Sequence, residues 1–292
     1  MNALAENQIL KFISNQPIIN RAILSNSFDI ICEKITLDNH VCLIAKYYDK
    51  KNLTFNAIKS EGNSLIYMSK KFPNLFPTIK LLTDDVLIMN FIEHNNIRSD
   101  NYQNVLAKEI LKIHSVTNDK YGFDFDAQIG GLKQSNTYEL NWIDFFTNKR
   151  LNMIFEKINK DNPMPKSINQ KIEKLMRDMK NHLPRQPNIS LLHGDLWEGN
   201  ILFKDGELAG LIDPGIYFGH HELEIAYLTW FKFVDEIFLD FYSNFIKINK
   251  YFIKYEPIYQ LYFSLLNVGL WNRELYLKDT ENLLNKIFKH TD

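Results

Sequence analysis

The chain has 292 residues, 45% of them hydrophobic and 24% charged, with a formal net charge of −1. That is room for one large domain or two ordinary ones around a sizeable core that needs no staples. The balanced charge argues against a general nucleic-acid binder, which would show a basic excess, and two cysteines, Cys32 and Cys42, are too few for a disulfide framework and wrongly patterned for zinc.

The opening "MNALAENQILKFISNQ" carries an acidic residue and no long apolar run, so it does not read as a signal peptide. The longest uncharged stretch, "PIYQLYFSLLNVGLWN", falls short of the roughly 18–20 residues that span a bilayer. The expectation is a cytoplasmic protein with no membrane partner. No internal repeat is visible.

Residues 5–20 read as a short amphipathic helix with Ile9, Leu10, Phe12 and Ile13 on one side. "ILSNSFDII" reads as a loop without glycine. "FDIICEKITLDNHVCLIAKYY" predicts two strands joined by a turn at "LDNH", and both cysteines read as free thiols there. Residues 54–71 predict a helix that Thr54 could cap. "TIKLLTD" and "DVLIMNFI" predict a second strand pair around Asp84 and Asp85. From about residue 100 helical periods dominate, in "NYQNVLAKEILKIHS", "NWIDFFTNKRLNMIFEKI" and "INQKIEKLMRDMKNHL", with a polar loop at "KDNPMPKSINQ". Two short strands, "ISLLH" and "ILF…LAGLID", follow, with "KDGE" as a hairpin turn; residues from 221 onward are helical and unusually aromatic. The fold class is therefore α+β. A sheet-rich N-terminal part, residues 1–93, precedes a helical part, residues 94–292.

The chemistry concentrates at "LHGDLWEGN" and "LIDPG". Asp195 and Asn200 lie on one loop, and Asp213 follows a hairpin that can return it beside Asn200. A carboxylate and an amide oxygen converging in this way suit a hard cation such as Mg²⁺. Asp195 then remains to orient and deprotonate a hydroxyl. Phosphoryl transfer needs this division between nucleophile and metal, and an Asp, four residues, Asn, then a later Asp is the kinase spacing. Asp, Gly and Asn are also ordinary turn residues, but three such positions at these spacings, each ending an apolar strand, are hard to obtain from turns alone.

The N-terminal part should supply the nucleotide clamp. Lys46, inside the apolar "VCLIAKYY", either snorkels at a strand end or reaches phosphates, and Glu61 on the next helix could pair with it. "LIMNFI" would lead into a hinge, with Met89 lining an adenine pocket and backbone groups of Asn90, Phe91 and Ile92 reading the base.

These residues resemble the fructosamine kinase (ketosamine kinase) family, within the aminoglycoside phosphotransferase and protein-kinase-like superfamily. "HGD" and "IDP" are similar to the wider superfamily; the Trp of "GDLWEGN" points to fructosamine kinases. Residues 121–151, "YFGHHELEIAYL" and "PIYQLYFSLL" also resemble family segments. The resemblance implies a two-lobed kinase fold, ATP and Mg²⁺ as cofactors, and transfer to the C3 hydroxyl of a ketoamine, after which the sugar is shed. It implies Asp195 as catalytic base, Asn200 and Asp213 as metal ligands, Lys46 and Glu61 at the ATP phosphates, Trp197 at the sugar, and His193 and Glu222 supporting the loops. His220 stands where the family often has Asp, and Asn267 where it tends to have His. Both departures bear on substrate choice. A kinase for an aminoglycoside, choline or another hydroxylated amine, and a non-catalytic pseudokinase, are the alternatives. A monomer is expected, with the oligomeric state left open.

Overall fold

The computed structural model describes residues 3–14, 16–49 and 55–289, and they form two compact units. The first comprises residues 1–102, 126–133 and 199–215, and the second comprises 103–125, 134–198 and 216–292. The expected boundary at 93–94 cuts the chain once. The units instead follow packing, so two later segments join the N-terminal residues.

In the first unit, helix α1 (Ala3–Ile13) buries Ala5, Ile9 and Ile13. It is shorter than the helix expected over 5–20: Ser14 turns left-handed at φ 53, and Pro17 has no N–H with which to continue it. Strand β1 (Ile18–Ser27) follows and pairs with β2 (Ile30–Leu37). The expected loop at "ILSNSFDII" is therefore mostly strand. Its turn, Phe28–Asp29, holds φ 56 and φ 60, a two-residue hairpin geometry that usually takes Asn-Gly or Asp-Gly. Strand β3 (Cys42–Tyr48), helix α2 (Ala57–Lys71), β4 (Ile79–Leu82) and β5 (Val86–Asn90) complete an antiparallel sheet of order β1-β2-β3-β5-β4. Thr54 lies outside the described residues; Asn56 caps α2, its Oδ1 accepting from Lys59 N at 3.0 Å.

Alternation along β3 sends Ala45 and Tyr47 into the core that α1 covers, with Ile31, Ile35 and Ile88. Lys46, between them, points to the other face. On the α1 side Glu33 is buried and held by Arg21, with Nε to Oε1 and Nη2 to Oε2 both at 2.7 Å. This two-point geometry suits a planar guanidinium.

The second unit begins with α3 (Tyr102–His114). A small hairpin not anticipated from the sequence follows, β6 (Ala127–Ile129) and β7 (Leu132–Gln134), turning at Gly130–Gly131 and packing mainly in the first unit. Helix α4 (Trp142–Phe146) runs through one π turn at Thr147–Leu151 into α5 (Asn152–Asp161). The expected polar loop is only residues 162–165, because α6 (Lys166–Asp178) starts directly after Pro165. Strand β8 (Ser190–Leu192) leads to the hairpin β9 (Ile201–Lys204) and β10 (Glu207–Leu211) in the first unit. Strand β11 (Tyr217–Gly219), also unanticipated, pairs with β8. Helices α7 (Glu222–Trp230), α8 (Glu236–Ser243), α9 (Phe252–Leu270) and α10 (Arg273–Lys289) close the chain.

Residues 121–125 and 134–151 serve this unit as scaffold. Trp142 Nε1 donates to Tyr259 Oη at 2.8 Å, and Asn136 Nδ2 to the Ile216 carbonyl at 3.1 Å. Arg150, fully buried, lies 4.0 Å over the Tyr217 ring and donates to Asn136 Oδ1 at 2.6 Å. A cation buried this deeply is tolerable because both terminal nitrogens are hydrogen-bonded and its flat face lies on aromatic rings, although Nε has no partner among the described residues. No helix among the described residues is long and apolar enough to cross a membrane.

Candidate functional site

In the first unit the centre is Lys46. It is 7% exposed, and its Nζ donates to Glu61 Oε1 at 2.7 Å and to Asp213 Oδ1 at 2.6 Å. Burial works against its charge, but Asp213 and Glu61 outweigh it and hold the Lys46 pKa above its ordinary value. Burial also raises the Glu61 carboxyl, which Lys46 partly offsets. Glu61 reaches Lys46 because α2 lies close on the sheet. A Cβ on the adjacent Gly62 would stand 2.4 Å from Leu82 Cδ1, so a larger residue there would have to push the Leu82 side chain aside.

Asp213 arrives through the β9–β10 hairpin. Asp205 and Gly206 close it with φ 51 and φ 93, a turn that matches strand twist. Ile201 pairs with Leu211, and one step on Ile212 N donates to the Asn200 carbonyl at 3.0 Å. The hairpin thus sets Asn200, 5% exposed, next to the segment carrying Asp213. Asp213 itself adopts φ 55, a left-handed backbone uncommon outside glycine. Such conformations persist where the surroundings over-determine them. Two residues on, a Cβ at Gly215 would lie 2.5 Å from the Gln128 carbonyl oxygen. Gly215→Ala must therefore displace backbone, and thermal unfolding should show a loss of roughly 1–3 kcal/mol, as overpacking does; an unchanged midpoint would mean the segment moves freely.

The hinge differs in detail from expectation. Met89 is buried in β5 between Ile44 and Ile79. The amide of Asn90 is already given to the Thr78 carbonyl at 3.1 Å, and that of Phe91 to the Cys42 carbonyl at 3.2 Å. Of the backbone groups of Asn90, Phe91 and Ile92, these two amides are therefore engaged within the sheet. Lys34 Nζ sits 3.8 Å over the Phe91 ring.

In the second unit, β8 ends just before His193, and Gly194 turns the chain with φ 89. His193 is buried, its Nδ1 accepting from Asp195 N at 3.3 Å, while Asp195 is half-buried. The loop is held chiefly by Glu224, a residue the sequence reading passed over. Its Oε1 accepts from Gly194 N at 2.6 Å and its Oε2 from His193 N at 3.1 Å. His114 Nε2 lies 2.9 Å from the same Oε2, and its Nδ1 2.8 Å from Tyr242 Oη. Burial pushes the Glu224 carboxyl up, but His114 and the loop amides more than reverse this, so it stays ionised. A carboxylate inside the apolar run "ELEIAYL" was the available signal, since an unpaired one would not be buried there.

Glu222, expected to support the loops, is buried at the start of α7. Its carboxylate accepts from Asn249 N at 2.5 Å and from the Tyr255 hydroxyl, holding α7 to the start of α9. Trp197 is half-buried, its ring 6.2 Å from Phe231. His220 is buried against Tyr259, with Nδ1 to Oη at 2.8 Å. Asn267 is also buried and donates to the Phe263 carbonyl of its own helix at 2.8 Å.

Glu224→Ala would leave two buried amides and His114 without their acceptor. Breaking a buried pair in this way costs about 3–5 kcal/mol. Urea unfolding should show that loss, and steady-state kinetics a fall in kcat; stability within error of the parent would remove Glu224 as the brace.

The described architecture is the protein-kinase-like fold, shared with solved small-molecule phosphotransferases. The chain belongs to the fructosamine kinase family, whose family model matches residues 45–290. A probable ketoamine kinase of Lactiplantibacillus plantarum is 25% identical over 239 residues, covering 80% of this chain and 83% of that protein. The chloroplastic protein-ribulosamine 3-kinase of Arabidopsis thaliana is 29% identical over 238 residues, covering 77% and 71%. A crystal structure of a Thermobifida fusca protein assigned as a fructosamine-3-kinase superposes with a TM-score of 0.85 over 99% of both chains, at 20% identity.

Proposed function

We propose that this protein is an ATP- and Mg²⁺-dependent ketoamine kinase, acting on the C3 hydroxyl of a ribulosamine- or fructosamine-type adduct. The observation that carries the reading is the buried Lys46–Glu61–Asp213 cluster beside Asn200, in a chain of the fructosamine kinase family. Residues 1–93, with the β9–β10 hairpin, hold the nucleotide, and residues 94–292 supply the acceptor side. The protein acts in the cytoplasm as a monomer, without nucleic-acid partners.

Lys46, positioned by Glu61, contacts the ATP phosphates. The Ile92 amide reads the base, since the Asn90 and Phe91 amides are committed to the sheet. Asn200 and Asp213 offer an amide oxygen and a carboxylate, donors that fit Mg²⁺; the ion, when bound, neutralises charge on the phosphates. Asp195 orients the sugar hydroxyl and takes its proton as the new O–P bond forms and the bond to ADP breaks. His193 and Glu224 keep that loop in place. Trp197 offers a flat apolar wall to the sugar. The phosphorylated adduct is unstable and sheds the sugar, which makes the reaction a repair step.

ADP release with Mg-ATP and ribulosyl-lysine, fructosyl-lysine, choline or kanamycin tests this, with Asp195→Asn as the blank. Turnover with a ketosamine, absent in the variant, is the expected result. Turnover with only choline or kanamycin would overturn the substrate and keep the chemistry. No turnover with any acceptor would favour a nucleotide-binding protein without catalysis.

A further inference from the structure

A second cluster of side chains, given no chemical step above, lies in the second unit. His220, His221 and Glu222 stand in sequence at the start of α7 and are 3%, 2% and 1% exposed. One ligand atom from each lies within 4.8 Å of the other two. Neighbours within a regular helix point about 100° apart. Here His220 belongs to the turn before α7, and its ring comes back to place Nε2 3.3 Å from Glu222 Oε2.

Each of these two ligands is fixed from behind. His220 Nδ1 meets the Tyr259 hydroxyl at 2.8 Å, leaving Nε2 on the Glu222 side. Glu222 is steadied by Asn249 N and the Tyr255 hydroxyl. His221 is the anomaly. Neither ring nitrogen makes a hydrogen bond of ordinary geometry among the described residues, although the Lys247 backbone is near enough to favour the protonated ring slightly against the burial that disfavours it. The Tyr242 ring stacks on it at 6.0 Å, with the His220 and His114 rings at 5.0 Å and 6.1 Å. Buried polar nitrogens are nearly always partnered, and one left idle is often explained by an ion.

We propose that His220, His221 and Glu222 form a binding site for a divalent transition ion of the zinc class. Two imidazoles and a carboxylate are a zinc donor set, and an open fourth position is common for such sets. The hydroxyls of Tyr259 and Tyr255 supply the outer partners that orient ligating side chains. Bonds of about 2.0–2.2 Å bring ligand atoms to roughly 3.3–3.5 Å apart. The widest separation in the cluster must then close by on the order of 1 Å, a movement a rotation of the His221 ring supplies. The site differs in kind from the Asn200–Asp213 pair, whose donors are oxygens suited to Mg²⁺. It would pin the first turn of α7, and two residues further on Glu224 holds the His193 and Gly194 amides. The ion is therefore structural, acting on the position of the Asp195 loop.

The test uses the full chain, stripped with a chelator, loaded with Zn²⁺, desalted and analysed for metal; Co²⁺ is the spectroscopic probe. One retained equivalent of zinc, intense tetrahedral Co²⁺ bands and a raised Tm are expected. His221→Ala should lower affinity at least 10–100-fold, the range that loss of a supporting partner alone causes. Asp213→Asn should keep both zinc and spectrum, which separates this site from a cation at the phosphates. Wild-type protein retaining no more zinc than His221→Ala, or a weak octahedral Co²⁺ spectrum, would overturn the proposal. Should His221→Ala lose its circular dichroism signature, the wild-type Co²⁺ spectrum decides by itself.

Discussion

Asp195→Asn should lower kcat by roughly 10²–10⁴, the usual cost of losing a general base, while the fold survives. A carboxamide has the shape of the carboxylate it replaces, the side chain is only half-buried, and the bond from Asp195 N to His193 Nδ1 is made by backbone and stays. Glu224 would still hold the two preceding amides. The signature is therefore a loss in kcat at nearly unchanged KM for ATP and nearly unchanged Tm. Single-turnover kinetics with a ketosamine would measure it. A variant within a few-fold of the parent would move the base to another residue.

Lys46→Met is the second large effect, and it has two parts. Removing one fixed electrostatic donor from a transition state typically costs about 10²–10³ in rate, and the loss should appear in kcat/KM for ATP. The other part is stability. Lys46 satisfies Glu61 and Asp213 together, and Glu61 is 4% exposed. Breaking a buried pair from one side costs about 3–5 kcal/mol, with Glu61 relieving some of that by taking a proton, toward which burial already drives it. Replacing both partners with apolar residues, Lys46→Met with Glu61→Leu, should recover much of the stability and none of the activity. Recovery of both would show that the pair serves the core alone. Denaturant unfolding set beside ATP-dependent turnover separates the cases.

Much of the fold was legible locally. The strands at β2, β3 and β5 announced themselves through β-branched runs and short polar turns. Strand β1 did not, because it is an edge strand whose side chains are mostly exposed and none buried, and its turn is Phe28–Asp29 in place of a glycine pair. Strands β6, β7 and β11 are three residues each, too short for any period to show. In the candidate site, Lys46 and Glu61 could be matched from a strand and the helix after it. Glu222 and Glu224 could not be told apart, since both are acidic residues in one apolar helix and their partners lie elsewhere in the chain.

The sequence by itself determined the α+β class, the order of sheet and helices, the spacing of Asp195, Asn200 and Asp213, and the resemblance that the family match confirms. The first three rest on periodicity, turn chemistry and spacing, and the last on the likeness of whole segments such as "HGDLWEGN"; all are short-range properties written along the chain. Only the tertiary structure decided that Lys46 meets Asp213, 167 residues away, and that Glu224 reaches back 30 residues to the Gly194 amide and 110 to His114. It alone buried His221 with neither ring nitrogen in a hydrogen bond of ordinary geometry among the described residues. Those facts depend on which faces pack together, and a buried charge or imidazole must take whatever partner that packing brings to it.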